Sequence, residues 1–511
     1  MTDWTSGYVA DIGYTYGYYN ELLPQRMRMA FLDRGLAVPT LANACELGFG
    51  QGVSANIHAA ASGTQWWGTD FNPSQAQFAQ ELAAASGAGA RLFDQSFEEF
   101  CGRADLPDFD FIGMHGLWTW VSDDNRRCIV DFIRRKLRPG GVVYVSYNTF
   151  PGWAQMAPVR HLLARHSEMT GRDSDTRVQR VSAALDFAEA LLALKPGFAR
   201  VNTQVADRFA RLRKMDRSYL AHEYFNRDWA PMHFLEMADW LRGAKLDFAC
   251  SAHYFDLVEP VNFTPEQQEF LRGVPDRMLR EAVRDFLVNQ QFRRDYWVKG
   301  GRTLPNPDKL AQTQAARLLL VTRRDAVGLK VQTPLGEAAL NEDVYVPVLE
   351  AMAAQQPMTV AQVERAVARR KVNRSQLMQA LIILMGKGDV QLVQGDEETA
   401  RAKPHCEKLN RHLVGLARFS GDVTHLASPV TGGGFPVQRF HQLFLAARAG
   451  GAEGAEALAD GAWEALKSVQ QLIVHDGRTL EGEEESRAHL KEQAARFLAD
   501  TLPTLQALQV A

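Results

Sequence analysis

Between Leu41 and Tyr147 short apolar runs alternate with amphipathic stretches. The runs Leu41–Leu47, Gln65–Asp70, Ala90–Asp94, Phe109–His115 and Val142–Tyr147 have the length and composition of strands. Val53–Ala61, Ser74–Ala85 and Asp124–Leu137 lie between them with helical spacing, and Arg138-Pro139-Gly140-Gly141 stops the last helix just before a strand. Regular strand–helix alternation predicts an α/β unit with a parallel, doubly wound sheet. After Trp153 the period changes: Val181, Leu185, Ala188 and Leu192 recur at spacings of three and four, the stripe of a buried helix face. Leu246–Ser251 reads as a strand that could rejoin the sheet edge, which would make the intervening helices an insertion.

Gly300–Asp308, rich in Gly and Pro, reads as a linker. Beyond it, 344–393 has a winged-helix pattern: helices at Val346–Ala353, Thr359–Val367 and Asn373–Gly386, then a strand at Val390–Val393. Thr359 and Asn373 are suitable N-caps. Arg487–Leu508 is amphipathic, broken at Pro503. The expected division is a first domain at 1–165, rejoined by 246–256, a helical domain at 166–305, and an α+β domain at 306–511.

With 511 residues, two to four cores are needed. A net charge of −3 offers little to a nucleic-acid or membrane surface. The five cysteines are widely spaced, with no Cys-x-x-Cys pair, so neither a disulfide scaffold nor a zinc site is expected and a reducing cytoplasm fits. Met1-Thr2-Asp3-Trp4 does not open a secretory signal. No run approaches the roughly 20 apolar residues that span a bilayer.

The chemistry concentrates in Cys45-Glu46-Leu47-Gly48-Phe49-Gly50-Gln51-Gly52, where a strand ends on an acid and enters alternate glycines before a helix. Glycine allows a tight turn and close approach of a ligand. The helix start offers free N–H groups to a carboxylate, and Glu46 can accept from an ammonium. Together these suit the methionine end of S-adenosylmethionine. The spacing is neither the Gly-x-Gly-x-x-Gly of dinucleotide sites nor a phosphate loop. Asp70 and Asp94 close the next two strands. They read as acceptors for the ribose hydroxyls and the adenine amine, with Gln95, Ser96 and Phe97 beside the ring, or as turn and cap residues. The fourth strand ends in Met114-His115-Gly116, facing the position of the sulfonium methyl. His115 either orients substrate and accepts a proton or is held structurally beside the cofactor. Tyr147 and Asn148 are candidates for the acceptor pocket. Tyr14, Tyr16, Tyr18 and Tyr19 precede the first strand and either hold an amine or cap the sheet edge.

The glycine run, His115-Gly116 with Trp120, and Asn148-Thr149-Phe150-Pro151-Gly152-Trp153 resemble class I methyltransferases that carry a methyltransferase regulatory domain. So do Tyr219-Leu220-Ala221-His222-Glu223-Tyr224-Phe225 and the run from Phe286 to Asp295. Members of that family include bacterial protein-lysine methyltransferases that modify outer-membrane proteins. The resemblance implies a Rossmann-like sheet and S-adenosylmethionine bound through Glu46, Gly48, Gly50, Gly52, Asp70 and Asp94. It also implies that the middle and C-terminal regions shape an open substrate cavity or a homodimer contact, with a protein lysine as substrate. Two other readings stay open: a small-molecule methyltransferase, and a non-catalytic sensor of S-adenosylmethionine signalling through the winged-helix-like unit.

No metal site is expected, because no His follows three residues after Glu223. Nor is nucleic acid: 341–393 carries six basic residues against five acidic ones, and the third helix of this unit is too apolar to lie in a groove.

Overall fold

The computed structural model describes residues 15–172, 174–480 and 482–511. Its centre is a seven-stranded sheet. β1 (Asn43–Leu47), β2 (Gln65–Asp70), β3 (Arg91–Asp94), β4 (Phe109–Met114) and β5 (Leu137–Asn148) run parallel. β6 (Leu246–Ser251) forms the edge, joined through β7 (Phe292–Lys299), which is antiparallel to both neighbours. The order β3-β2-β1-β4-β5-β7-β6 reverses direction between β1 and β4. A sheet of this kind binds ligands in the crevice beyond the strand carboxyl ends at that reversal.

Both sheet faces are covered, which is why every residue of β4 is buried. Helices α1 (Pro24–Asp33), α2 (Val53–Ala61) and α3 (Pro73–Ser86) pack Met27, Phe31, Ala55 and Ala79 against Trp66, Phe111 and Tyr144. Helices α4 (Phe97–Cys101) and α5 (Asp123–Lys136) set Phe100, Ile129, Phe132 and Ile133 against Leu47, Ile112 and Val143 on the other face.

The sheet draws Phe292–Lys299 out of the region expected to be helical. Two charges hid it: Arg293 and Asp295 are buried at positions where strand alternation calls for apolar residues. Between β5 and β6, helices Ala157–Thr170, Arg177–Ala193, Gln204–Leu212 and Arg217–Tyr224 surround a core of their own that includes Trp153, Leu163, Val181, Leu185, Phe209 and Leu220.

In the C-terminal half, Met358–Thr359, Arg317–Leu320 and Val390–Leu392 form a small antiparallel sheet. Helices Glu342–Ala351, Val360–Val367 and Arg374–Lys387 pack with it, and Thr359 and Asn373 each close a capping box. The third helix buries Leu377 and the run Ala380–Met385. No second strand follows Val390–Leu392, where the chain enters helix Asp396–Leu416 at once; the hairpin Lys330–Thr333/Gly336–Ala339 precedes the three helices instead.

Helix Asp396–Leu416 and the hairpin His425–Ser428/Gly433–Pro436 cover α2, so all nine of its residues are buried. Tyr18 ties this cover down. Its hydroxyl accepts from Gly434 N–H at 2.7 Å and lies 3.0 Å from His58 Nε2. Among the described residues no helix is long and apolar enough to cross a membrane.

Candidate functional site

A cleft of about 310 Å³ opens beyond the carboxyl ends of β1, β2, β3 and β4. Gly48, Gly50, Asp70, Gln95, Ser96, Phe97 and His115 line it, so the structure brings together residues drawn from four strand ends. Gly48, Gly50 and Gly52 have φ of +71°, +58° and +67°. A Cβ at Gly48 would sit 3.1 Å from Leu117, and one at Gly52 would sit 2.4 Å from the Cβ of Ala79. The loop therefore needs glycine both for its turn and for α2 to lie against α3.

Glu46 is 2% exposed, and its Oε2 has no hydrogen-bond donor. Burial, and then the charge of Asp70, push its carboxyl well above the usual range. Asp70 accepts from Gly50 N–H at 2.9 Å through one oxygen and from Asn72 N–H at 3.0 Å through the other. Burial nevertheless takes it up to about 6, against those two bonds. Asp70 thus fastens the glycine loop while facing the cleft.

Beside it, Ser96 is the N-cap of α4 in a capping box with Glu99, so its hydroxyl already accepts a backbone N–H. Gln95 Oε1 takes a hydrogen bond from Arg103 at 3.3 Å.

His115 is locked from two sides. Its Nδ1 lies 2.8 Å from the Tyr144 hydroxyl, and its ring stacks on Tyr19 with centroids 3.6 Å apart. Burial lowers its pKa to about 4, so the imidazole is neutral at pH 7. Next to Tyr19, Glu21 pairs with Arg294 at 2.6 Å; although burial raises its carboxyl, Arg26 and Arg294 draw it down to about 2.

The other expected residues lie elsewhere. Tyr147 is a correction: period two puts it on the opposite sheet face from Tyr144, where its buried hydroxyl donates to Asp295 at 2.9 Å. Asn148 is buried outside the cleft, its N–H held by Thr119 Oγ1 at 2.9 Å. Met114 is a core residue, and Asp94 is exposed at the end of β3. Tyr16 packs edge-on against Phe78, in the core shared with the C-terminal unit. Tyr14 lies outside the described residues. The residue that meets His115 from this cluster is Tyr19.

Of the far wall, sequence reasoning had singled out Trp120 alone. Trp120, Val121, Ser122 and Asn125 come from the start of α5 and the turn before it, and Asn226, Arg227 and Asp228 follow the last helix of the insertion. The sequence signal for the latter was the run Tyr219–Phe225, which stops one residue short of them.

Residues 44–141 match the family described as "Methyltransferase domain", and residues 216–299 match the "Predicted methyltransferase regulatory domain". Over 513 residues the chain is 38% identical to the uncharacterized protein sll1526 of Synechocystis, covering 99% of each. The chain belongs to the class I methyltransferases that carry a regulatory domain. S-adenosylmethionine is the cofactor of this methyltransferase. Its fold is similar to that of PKMT2 from Rickettsia typhi in complex with AdoHcy, at 18% identity over 98% of this chain and 100% of that one, with a TM-score of 0.71. A second PKMT2 structure from the same organism gives 0.67 at 17% identity, covering 97% of this chain and 99% of that one.

The site fits the cofactor. Glu46 offers a buried carboxylate oxygen with no donor of its own, and the glycine loop leaves open the space a Cβ would fill. The methyltransferase should be sensitive to that loop. Gly52→Ala combines a left-handed backbone (about 1–2 kcal/mol) with overpacking on Ala79 (about 1–3 kcal/mol). Urea denaturation is expected to show a loss of about 2–5 kcal/mol; a loss within about 0.5 kcal/mol, typical of an inert surface change, would mean the loop tolerates a side chain.

Proposed function

We propose that the chain is a protein-lysine N-methyltransferase. Glu46 would hold the ammonium of S-adenosylmethionine, the Gly48–Gly52 loop its carboxylate, and the Asp70 and Gln95–Phe97 side its adenosine. The observation that carries the reading is the neutral, rigid His115, stacked on Tyr19 and fixed by Tyr144 at the cleft.

Bound S-adenosylmethionine supplies a methyl group already activated on a sulfonium, so the protein's work is positioning and exclusion of water. A free lysine amine titrates near 10.4 and must be neutral to attack. An uncharged imidazole beside aromatic rings neither repels the incoming amine nor competes for it with a charge. The Glu21–Arg294 pair keeps its own charges satisfied beside that surface. Similarity in fold to a protein solved with AdoHcy, the demethylated form of the cofactor, supports the same loop as its binding place.

The test is transfer of deuterated methyl from S-adenosylmethionine to a cell lysate by the purified protein, followed by peptide mass spectrometry. Labelled lysines in a limited set of proteins are expected. Label confined to small molecules would overturn the lysine assignment and leave a methyltransferase of metabolites.

A further inference from the structure

A second cavity, of about 270 Å³, lies where β7 begins, beside the carboxyl end of β5. Phe292, one of its walls, meets His115 edge-on with ring centroids 6.2 Å apart, and His115 lines the cofactor cleft. Phe255, Val261 and Pro334 add to its apolar lining. The cavity adjoins a recess of about 40 Å³, with which it shares Asp256, Asn262, Gln290 and Pro334. Asp285, Arg293 and Asp295 line the recess, and all three are buried. Side chains alternate along β7, so Phe292 and Arg294 take one side while Arg293 and Asp295 take the other. The passage from cavity to recess therefore turns round the start of β7, away from His115.

Asp285, on helix Arg277–Val288, is 3% exposed. Its Oδ1 accepts from Arg293 at 2.5 Å, but its Oδ2 is buried with no donor. The donors around the recess are turned elsewhere. The three nitrogens of Arg293 each face a different carboxylate. Arg284 donates to the Asp256 carbonyl at 2.6 Å, and Gln290 to the Phe292 carbonyl at 2.6 Å. Asn262 donates to the Phe255 and Val258 carbonyls at 2.7 and 2.9 Å. The lining is acidic in sum, with Asp256, Glu281, Asp285 and Asp295 against Arg284 and Arg293.

A buried carboxylate oxygen left without a donor is costly. In an acidic recess the donor that fits is a cation. The recess has room for about one or two water-sized groups, which suits an ammonium better than a guanidinium plane. The cavity leading to it offers apolar walls to an alkyl chain whose charged end lies beyond them. We infer that the cavity takes a lysine side chain of the substrate other than the one that is methylated, with its ammonium seated against Asp285 Oδ2 and its methylenes along Phe255, Val261 and Phe292. The recess and His115 lie on opposite sides of β7, so the amine held here is not the one facing the sulfonium. That the amine belongs to a protein rests on the function proposed above; the ammonium chemistry rests on the recess and its orphaned oxygen.

The experiment titrates n-butylammonium chloride into the full-length protein saturated with AdoHcy, with n-butanol as the neutral control, followed by saturation-transfer NMR. Butylammonium is expected to bind, and butanol to bind at least about tenfold more weakly, as a charged hydrogen bond demands. Asp285→Asn keeps an oxygen for Arg293 and should lose about tenfold for butylammonium while retaining the parent's affinity for AdoHcy. Gln332→Trp, at an exposed hairpin position that lines the cavity, should shut the probe out without touching the buried charges. It decides the matter alone if Asp285→Asn melts too low to assay. No binding to the parent, or parent affinity in either variant, would overturn the site. On a methylated protein substrate, Asp285→Asn should raise KM about tenfold with kcat unchanged. If lysines are methylated with the parent's KM by Asp285→Asn, the site fails and the proposed function stands. If butylammonium binds through Asp285 but no protein lysine is ever methylated, the ammonium site stands and the proposed function fails.

Discussion

Glu46→Gln is expected to abolish S-adenosylmethionine binding while raising the melting temperature of the ligand-free protein. The two effects have one cause. Glu46 is buried with an oxygen that no donor reaches, and burial followed by the Asp70 charge raises its carboxyl well above the usual value. A carboxyl raised by folding opposes the folded state wherever it must ionise. Its cost is absent below the unfolded pKa of about 4.3 and grows as pH rises above it. At pH 7.5 the amide removes that cost, so the ligand-free variant melts higher; near pH 4 the difference should vanish. With ligand the sign reverses, because the carboxylate is what an ammonium would pair with. Removing one partner of a buried ion pair costs about 3–5 kcal/mol, or about two to three and a half orders of magnitude in affinity. Calorimetry and thermal melts with and without S-adenosylmethionine read both effects. A variant that binds within threefold of the parent would remove Glu46 from the site.

The parts legible in the sequence are those whose chemistry is local. The Glu46–Gly52 loop and Asp70 could be found because a strand end, a turn and a helix start follow each other within a few residues, and each imposes its own residue type. What Asp70 does was only half legible. Its position suggests an acceptor for a ligand, whereas its grip on Gly50 and Asn72 depends on how the loop returns to β2. Side-chain parity in β5 was not legible at all. Tyr144 and Tyr147 differ by an odd number of residues and so face opposite sides, and only the packed sheet tells which side meets His115. Tyr19 and His115 are far apart in the chain and meet because the segment before α1 crosses the strand ends. The cleft wall at Asn226–Asp228 is likewise a product of the insertion folding back.

Arg293→Met is the substitution expected to cost the most stability. Arg293 explains why β7 escaped a reading based on alternation. Its guanidinium donates to Asp295 at 2.9 Å, to Asp285 at 2.5 Å and to Glu281 at 3.3 Å, and it stacks 4.3 Å over Phe234. Three carboxylates thus share one buried arginine, which stays fully charged. Burial already takes Asp285 up to about 7 even with the arginine present. This knot joins β7 to helix Arg277–Val288 and, through Tyr147, to β5. Methionine fills much of the same volume, but it leaves Asp285 and Asp295 buried without a cation, a loss of about 3–5 kcal/mol. The loss should shrink as pH falls. Without Arg293 both carboxyls lie above their unfolded values, so the variant loses stability as pH rises from about 4 and regains it in mild acid. Adding Asp285→Leu and Asp295→Leu to Arg293→Met removes the two stranded charges, leaves Glu281 with Arg284 at 3.8 Å, and leaves the Tyr147 hydroxyl without its acceptor. Denaturation should then recover most of the difference, since a buried ionic cluster replaced whole is near neutral. A single variant as stable as the parent at pH 7.5 would show that the knot does not hold the sheet together.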